Sequence, residues 1–576
     1  MTEASFSNLT QPTNIFKGEK AFRKIINKAA ATCIPSGRIK NIIPEIPTAT
    51  AEKIKTRDEL RSSDPHSPQI KQLNEDITRE INTHRQEKWR ETISNINGKT
   101  NSTKLYKLIK HLNGSSTNPS NNQSIKFKGK YIGNAKKLAN AFNKQYTSIT
   151  DHKSKKDTRK ITRNIRKNKL EDAQMFTETE TEEAIKKSKA SKALGPDKIS
   201  TLHLKHLGPA AIKYLTSLFN LSIKNSQIPD IWKTSTIIPL LKPNKPADDS
   251  GSYRPVSLLC PSIKILERLI LPTLNEHLPI PDIQHGFRQQ HSTVTALNDF
   301  TQDVITGFNQ KKPAHRTVLL QLDLSKAFDM VSHNKLLKDL DNTTLPPAIK
   351  RWFNTYLRGR QSRVNFRDEK STSRNIHTGV PQGAVTSPIL FNFYLTNIPD
   401  PPNGVKLIQY ADDISVYSTG PNINQLTKNI NEYVPHLINF LIERELIVSP
   451  EKSTVTLFTP STHEFNFHPQ IIIDNRIVKL EQQPKLLGVT FDTLFKFSHH
   501  VEKAATKAKS KVNILKCLAG SKWGQDKETI VTTHKTIVRS TLEYAAPIWA
   551  PIISKTSVQK TTECPKPSPP SSYGKP

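Results

Sequence analysis

Apolar side chains recur along the chain at two different spacings, and the pattern changes near residue 180. Ile70, Leu73, Ile77 and Ile81 are separated by three or four residues, which is the period of a helix that buries one face. The dipeptide Ser67-Pro68 before them is typical of an N-cap followed by the first helical residue. The sequence therefore predicts a long amphipathic helix that begins at this dipeptide.

The rest of the first 180 residues shows shorter patterns. An amphipathic run surrounds Phe22, and a second helical piece around Ile109 ends at the stop signal Asn113-Gly114. The polar stretch from Ser115 to Ser124 has the composition of a linker. Residues 1–180 are therefore expected to form a mainly helical extension ahead of the main domain.

Between residues 180 and 495, short apolar runs alternate with helical patterns. Val318 to Leu322 is a continuous apolar run that predicts a buried strand, and Asp323 follows at its end. Two more apolar runs, between Lys406 and Ser418, flank the dipeptide Asp412-Asp413 and predict the tip of a β-hairpin. The alternation indicates an α+β fold.

The net charge of the chain indicates what kind of molecule it binds. The 576 residues include 85 Lys and Arg against 51 Asp and Glu, a formal charge of +34, which favours a polyanion, nucleic acid before an anionic membrane surface. The length corresponds to about three or four domains. The basic segment from Asp151 to Leu170 fits a solvated surface, a phosphate-contacting arm or a nuclear targeting signal, and the sequence leaves these alternatives open.

Several features are missing from the sequence. The first twenty residues contain no apolar core of a secretory signal, and no stretch approaches the roughly 18 apolar residues of a membrane span. Four cysteines stand far apart without a Cys-x-x-Cys pair, which argues against a disulfide framework and a structural zinc site. We expect an intracellular protein of the cytoplasm, the nucleus or both, without a membrane partner.

Candidate chemistry centres on three acids. An aspartate at the exit of a buried strand is costly unless it is paired, caps a helix or binds a metal, and helix capping is the plain alternative for Asp323. Asp412 and Asp413 lie between two buried strands, unlike Asp248-Asp249, which sits in a polar turn. Three carboxylate oxygens from two strands suit Mg²⁺, which also takes water and phosphate ligands. Two such ions are the arrangement that nucleotidyl transfer requires.

Eight motifs in one order resemble the polymerase motifs of reverse transcriptases, and specifically those of jockey-like non-LTR retrotransposons. Together they span about residues 185–495. They are Gly195–Ile199 (GPDKI), Ile237–Ile270, Gln284–Leu297, LDLSKAFD around Asp323, Gly379–Pro399, YADD around Asp412, Leu446–Thr454 and Leu486–Asp492.

The resemblance implies a right-hand polymerase with fingers, a palm that contains an antiparallel sheet, and a thumb. The expected layout is a basic extension at 1–180, fingers at 181–315, a palm at 316–495, a thumb-like and truncated region at 496–553, and a disordered Pro-rich tail at 554–576. The reverse transcriptase domain would cover about residues 222–492. In the thumb helix Val501–Leu518, four lysines would face a duplex backbone while Val512, Ile514 and Leu515 pack: Lys503, Lys507, Lys511 and Lys516.

The resemblance also implies roles for individual residues. The expected catalytic residues are Asp323, Asp412, Asp413 and Lys452, of which the three aspartates would also hold the metal ions. The expected nucleotide-binding residues are Lys242, Arg254, Phe328 and Gln382. The expected template-binding residues are Gly286, Phe287 and Arg288. Phe328 would exclude a ribose 2′-hydroxyl, because an apolar wall gives that hydroxyl neither room nor a partner.

The implied activity is RNA-directed DNA synthesis from a DNA 3′-hydroxyl, with two Mg²⁺ ions that Mn²⁺ can replace. RNA template, DNA primer or target and deoxynucleoside triphosphates would be the partners. An endonuclease would have to come from elsewhere, since little room precedes residue 180. Two alternatives remain open: a decayed or domesticated copy that only binds RNA through its basic segments, and an intron-encoded maturase or telomerase-like polymerase.

Overall fold

The computed structural model describes residues 2–34, 47–64, 67–94, 124–148, 162–163, 165, 175–243, 245–311, 313–518 and 527–554. The predicted helical piece around Ile109 and the Pro-rich tail after residue 554 lie outside these residues, and so does almost all of the polar linker and of the basic segment 151–170. Within the described ranges, none of the helices combines the length and hydropathy that a bilayer-spanning helix needs.

The described residues form a mixed α+β structure, as expected. The helices are α1 (Thr2–Ser7), α2 (Ile15–Cys33), α3 (Thr48–Ser63), α4 (Pro68–Ser94), α5 (Ala135–Thr147), α6 (Glu178–Lys187), α7 (Thr201–Lys205), α8 (Pro209–Asn225), α9 (Asp230–Lys233), α10 (Pro261–His277), α11 (Thr293–Phe308), α12 (Ala327–Met330), α13 (His333–Asp341), α14 (Pro347–Leu357), α15 (Ser387–Tyr394), α16 (Ile423–Glu443), α17 (Ser498–Leu518), α18 (Lys527–Thr533), α19 (Ser540–Leu542) and α20 (Ala546–Trp549). A π-helical turn, His534–Arg539, joins α18 to α19.

The strands are mostly short, and ten of them build two larger sheets. They are β1 (Ile125–Phe127), β2 (Lys130–Ile132), β3 (Thr234–Leu241), β4 (Tyr253–Leu258), β5 (Arg316–Leu322), β6 (Arg360–Phe366), β7 (Glu369–Lys370), β8 (Arg374–Ile376), β9 (Val405–Tyr410), β10 (Asp413–Gly420), β11 (Thr454–Phe458), β12 (Ile472–Ile473), β13 (Arg476–Ile477), β14 (Lys479–Leu480), β15 (Lys485–Leu486) and β16 (Val489–Thr490). We call the sheet β14-β11-β5-β10-β9 the central sheet and the sheet built on β4-β3-β6-β7, with β8 on β6, the second sheet.

Contacts divide the chain into two compact units. The first consists of residues 1–35, 119–487 and 493–495, and it contains both large sheets. The second consists of residues 36–118, 488–492 and 496–576, and its described part contains α3, α4 and α17 to α20.

The central sheet confirms the predicted buried strand and hairpin. β10 pairs antiparallel with β9 on one side and with β5 on the other, and β11 also pairs antiparallel with β5. Val318, Leu320 and Val416 are fully buried because α11 and α16 pack against these strands. The continuous apolar runs in the sequence therefore reflect strands in the middle of a covered sheet.

The second sheet joins strands that are far apart in the chain. β3 and β4 form an antiparallel hairpin, whereas β3 pairs in parallel with β6, which follows the central strand β5 in sequence. Residues 360–376 thus belong to the same sheet as residues 234–258. The expected boundary between fingers and palm at residue 315 stays a prediction.

Part of the N-terminal extension packs on the second sheet. Phe142 of α5 is fully buried and contacts the rings of Phe127, Tyr253 and Phe366 at centroid distances of 4.8, 5.2 and 5.1 Å. Buried Asn143 donates to the carbonyl oxygens of Ser362 and Thr372 and to the Ser371 hydroxyl. Through these contacts, residues 124–148 pack against the second sheet and support it.

The first two helices also enter the core of the first unit. Phe6 of α1 and Phe22 of α2 contact each other at 5.5 Å, and Phe6 contacts Tyr214 of α8 at the same distance. Asn14 caps α2 by accepting from the amides of Phe16 and Lys17. The amphipathic run around Phe22 is therefore a helix whose apolar face packs on the body of the first unit.

In the second unit, α4 begins at Pro68, as the sequence predicted. α17 spans the expected thumb helix, and Val512 and Leu515 are buried as expected. The prediction for Lys511 is wrong, because its ammonium donates to the carbonyl of Ile537 at 3.0 Å and to the Thr541 hydroxyl. Lys511 satisfies backbone at a neighbouring turn and does not face outward with Lys503 and Lys507, which are exposed.

Truncation of Phe142 should destabilise the second sheet. We expect Phe142→Ala to lower the free energy of unfolding by about 3–5 kcal/mol, since it removes a buried aromatic ring and leaves a cavity. Urea denaturation of the full chain would measure the loss. Tyr131→Ala, at a residue of β2 that is 63% exposed, is the matched control and should change stability little. Equal effects of the two substitutions would contradict the packing role of Phe142.

Candidate active site

The hairpin β9–β10 ends at the acidic dipeptide. Asp413 pairs with Tyr410, so Ala411 and Asp412 form the turn, and Ala411 adopts a left-handed conformation with φ of 56°. On the other side of β10, Ile414 pairs with Leu322, the last residue of β5. Asp413 and Asp323 lie one residue beyond that pair on adjacent strands. The sheet therefore brings the three predicted aspartates to one edge.

The electrostatics of the three acids show that they affect one another. Partial burial raises the pKa of Asp413 to about 6, and the negative charges of Asp412 and Asp323 add to the rise. The pKa of Asp412 is also raised, by burial and then by Asp323, while Arg254 opposes the rise. Clustered carboxylates of this kind gain from a hard cation that compensates their repulsion.

Three carboxylates are ligands that suit a divalent cation, so the chemistry of this donor set fits such an ion. The three side chains share one edge of the sheet but do not surround a single point. Among the residues that the structure describes, no three His, Cys, Asp or Glu side chains are gathered tightly enough to hold an ion as they stand. Asp412 and Asp413 are both exposed, so their oxygens are accessible to a metal ion and to phosphate oxygens. Asp323 is half-exposed beside them.

A turn after α16 supports Asp323. The Asp323 amide donates to the Ser453 hydroxyl at 3.3 Å, and the Ser449 amide donates to the Asp323 carbonyl at 2.9 Å. The same turn carries Lys452, whose ammonium lies 3.4 Å from the Asp323 carboxylate. The structure thus places Lys452 beside the acids, and its catalytic role stays a prediction. Ser449 and Ser453 were missed, although Ser449-Pro450 is a turn signal.

Phe328 lies between two other aromatic rings. Its ring stacks on Phe391 of α15 with centroids 4.4 Å apart and an interplanar angle of 16°. Phe287 approaches it edge-on at 6.3 Å and is itself 57% exposed. The stacking fixes the ring plane of Phe328, while the exposed Phe287 ring remains available for contact with a base.

Gly286 packs directly against the acidic hairpin. A Cβ atom there would lie 2.5 Å from the backbone nitrogen of Ala411, so only glycine fits. Gln284, which is fully buried, accepts from the amides of both Gly286 and Ala411 through one side-chain oxygen. Gln284 was missed by the sequence reasoning, because a buried glutamine leaves no periodic signal.

Arg288 makes its contacts within its own loop. Its guanidinium donates to the carbonyl of Pro281 at 3.0 Å and forms an ion pair with Asp282 at 2.9 Å. These contacts brace the loop that carries Gly286 and Phe287.

Gln382 is held from two sides. Its carbonyl accepts from the Ser257 amide at 2.9 Å, and its side-chain amide donates to Asp329 at 3.2 Å. Burial raises the pKa of Asp329 to about 6, partly offset by Lys326 and by this hydrogen bond. Gly383 adopts φ of 127° and lies against the Ser257 carbonyl, where a Cβ would come within 2.6 Å. Asp329, the last residue of LDLSKAFD, was also missed.

Two cations lie near the loop that connects β3 to β4. Arg254 of β4 pairs with Leu240 of β3, and Lys242 follows the end of β3. Burial lowers the pKa of Lys242, and the positive charges of Arg254 and Lys452 lower it further. Lys242, Arg254 and Lys452 are therefore close enough to interact, and Arg254 in turn interacts with Asp412.

Comparison with known proteins agrees with this geometry. A family model described as reverse transcriptase (RNA-dependent DNA polymerase) matches residues 241–491, which include all three aspartates and every other predicted site residue. The chain carries a reverse transcriptase domain.

Relatives that match at about 30% identity include proteins of mobile elements from flies. The chain is 30% identical over 378 residues to the probable RNA-directed DNA polymerase from transposon BS of Drosophila melanogaster, a match that covers 64% of this chain and 40% of the relative. It is 28% identical over 399 residues to the RNA-directed DNA polymerase from mobile element jockey of Drosophila funebris, covering 67% of this chain and 43% of that protein. The resemblance to jockey-like elements is thereby confirmed, and the match spans about two fifths of the relatives' length.

A buried acid supports the loop of the reverse transcriptase domain that carries Gln382. Glu267 of α10 is fully buried and accepts from the Tyr356 hydroxyl and from the amides of Val385 and Thr386, at the start of α15. Burial raises its pKa, while these donors and the nearby Arg360 act in the opposite direction. Glu267 therefore fixes the end of the Gly379–Gly383 loop.

Substitution of Gly286 should strain the acidic hairpin. We expect Gly286→Ala to lower the free energy of unfolding by about 1–3 kcal/mol, because the new methyl group must displace backbone atoms of Ala411. Urea denaturation would detect the change. Gly133→Ala, where the nearest atom to a Cβ is 3.5 Å away, is the control. If Gly286→Ala were as stable as the control, the close packing would be disproved.

Loss of the Glu267 carboxylate should be more costly. Glu267→Ala leaves two amides and the Tyr356 hydroxyl without their acceptor and Arg360 without its nearby charge, so we expect a loss of about 3–5 kcal/mol. Glu267→Gln keeps one acceptor oxygen and should lose less. Glu276→Ala, at an exposed position of the same helix, is the control in the same denaturation experiment. Stability of Glu267→Ala equal to that of the control would refute the supporting role.

Proposed function

We propose that this chain is an RNA-directed DNA polymerase of a mobile element, which extends a DNA 3′-hydroxyl on an RNA template. The observation that carries the proposal is the convergence of Asp323, Asp412 and Asp413 on one edge of the central sheet, inside a reverse transcriptase domain. The names of the relatives, which are RNA-directed DNA polymerases of transposons, point in the same direction.

The three aspartates would hold two Mg²⁺ ions, and Mn²⁺ could replace them. Bound there, the metals would lower the pKa of the attacking hydroxyl and offset the charge that develops on the leaving pyrophosphate. The raised pKa of Asp413, about 6, supports this assignment, because a carboxylate destabilised by its neighbours gains most from a cation.

Basic side chains around the acids would bind the triphosphate. Lys242 and Arg254 lie at the loop end of the β3–β4 hairpin. The positive charges of Arg254 and Lys452 are close enough to Lys242 to lower its pKa. Arg254 offers a planar fork for phosphate oxygens and Lys242 a point charge. Lys452, 3.4 Å from Asp323, would stabilise or protonate the leaving group.

Phe328 and Gln382 would form the pocket for the deoxynucleotide. The stack on Phe391 holds the Phe328 ring in one plane, as an apolar wall beneath the sugar requires. Gln382, held by Asp329 and Ser257, would contact the nucleotide. Gly286 and the exposed Phe287 would line the template path, and Arg288 would act indirectly by bracing their loop.

We further propose the right-hand layout for this domain. The central sheet would be the palm and the second sheet the fingers, with α17 in the thumb. The fingers would then include residues 234–258 and 360–376 and would rest on α5 of the extension. The Lys503 and Lys507 side chains, which are exposed, would contact the backbone of the primer–template duplex.

The second candidate is a chain that only binds RNA. The net charge of +34 favours it as much as it favours the polymerase. The clustered aspartates oppose it, because a protein that only binds RNA has no need for three repelling carboxylates at one sheet edge. Salt-sensitive RNA binding without any primer extension would support this candidate.

Primer extension by the purified full chain tests the polymerase. We expect extension of a DNA primer on an RNA template with deoxynucleotides and Mg²⁺, and a loss of at least about 100-fold in Asp412→Asn, which weakens metal binding without a change in size. Asp474→Asn, an exposed residue in the turn between β12 and β13, is the control and should stay active. Equal extension by Asp412→Asn and the control, or none by the wild type, would reject the proposal.

A further inference from the structure

A small cavity whose lining is part polar and part apolar adjoins Gln382. It has a volume of about 50 Å³ and lies between α5, the second sheet and the loop that precedes α15. Its polar lining includes Tyr146, Ser257, Asp329, Arg360, Thr378 and Gln382. The cavity therefore adjoins the residue pair that positions Gln382.

Two polar groups in the cavity lining lack a partner among the described residues. The Tyr146 hydroxyl and one terminal nitrogen of the Arg360 guanidinium are buried without a hydrogen bond. Arg360 is only 2% exposed, and its guanidinium lies over the Tyr356 ring at 4.8 Å. A buried donor without an acceptor is costly, so both groups need a partner inside the cavity.

Water is the partner that fits. A cavity with more than about 10–15 Å³ of room can hold a water molecule when two to four polar groups surround it. This cavity exceeds that size and offers hydroxyl, guanidinium, amide and carboxylate groups. The charge of Asp329 is also near enough to Tyr146 to raise the pKa of its phenol further than burial alone.

We propose that the cavity holds ordered water that links Tyr146 and Arg360 to Asp329, which makes Tyr146 a positioning residue for Gln382. The inference rests on the proposed function, since Gln382 matters there as a nucleotide-pocket residue. Tyr146 belongs to α5 and lies well before residue 241, where the family match begins. The nucleotide pocket would therefore depend on a segment outside the matched region.

The packing of α5 gives this link the rigidity it needs. Asn143, one turn before Tyr146, donates to the Ser362 carbonyl of β6, and the Ser362 hydroxyl donates back to Asn143. Tyr146 itself stacks on Phe142 with centroids 5.8 Å apart. The phenol ring is therefore fixed, and removal of its hydroxyl alone leaves the packing of the ring in place.

Steady-state primer extension with Tyr146→Phe tests the proposal. We expect the KM for the deoxynucleotide to rise about three- to tenfold, the effect of roughly one lost hydrogen bond, while kcat changes less than about twofold. Primer–template affinity and the thermal midpoint should match the wild type. Tyr131→Phe, an exposed tyrosine of the same segment, is the control and should leave KM unchanged.

A double-mutant cycle with Asp329→Asn separates a shared water from two independent effects. If both side chains act through the same water, the KM changes of Tyr146→Phe and Asp329→Asn will not add. Additive changes, an unchanged KM in Tyr146→Phe, or a loss of thermal stability with equal falls in kcat and kcat/KM would overturn the proposal. A wild type without extension activity would reject the proposed function instead.

A high-resolution crystal structure of the full chain tests the cavity without any measurement of activity. We expect ordered water within hydrogen-bonding distance of the Tyr146 hydroxyl and of Arg360, and its loss or displacement in Tyr146→Phe. A dry cavity in the wild type would overturn the proposal, whatever the enzyme kinetics show.

Discussion

The pairing of β5 with β10 is the contact on which the site depends. The ladder ends at Ile414 and Leu322, so the acids that follow it from two distant parts of the sequence arrive at the same edge. The acids repel one another, and the nearby cations Lys452 and Arg254 do not cancel this repulsion, since the charges of Asp412 and Asp323 still raise the pKa of Asp413. Burial of apolar side chains in these strands, among them Val318, Leu320 and Val416, stabilises the β5–β10 pairing and so keeps the acids at this edge.

Buried polar side chains connect this sheet to the loops around it. Gln284 joins the acidic hairpin to the loop of Gly286, Ser453 joins the end of β5 to the turn of Lys452, and Glu267 joins α10 to the start of α15. Hydrogen bonds in a low-dielectric interior have strict geometric requirements. Each of these loops is thus held by at least one such residue, which restricts the positions that its side chains can take.

The sequence predicted the parts of the fold that local pattern controls. The apolar run 318–322 was a strand and the flanks of Asp412 formed a hairpin, because burial of whole strands leaves a signal in the local sequence. The turn after Asp323 leaves no such signal: Lys326 adopts a left-handed conformation there, and α12 begins only at Ala327.

The residues that the sequence did not predict are buried polar groups whose partners are distant. Glu267, Gln284 and Asp329 lie inside the motifs of the resemblance, but no local pattern shows what they bind, because their roles depend on which distant groups the fold brings near. Lys511 shows the opposite error. Its charge and helical spacing predicted an outward lysine, but its ammonium donates to the Ile537 carbonyl, which also accepts from the Thr541 hydroxyl.

The parallel pairing of β3 with β6 has a consequence for folding of the chain during its synthesis. Paired residues such as Thr234 and Gln361 lie 127 residues apart, and the hydrogen bonds from the Asn143 side chain reach 219 to 229 residues forward. At about 5–20 residues per second, the β3 edge waits roughly 6–25 s on the ribosome for its neighbour. An open strand edge attracts other strands during such a delay. The β3 edge that later receives β6 is thus open to wrong strand pairing for longer than the edge that β4 covers.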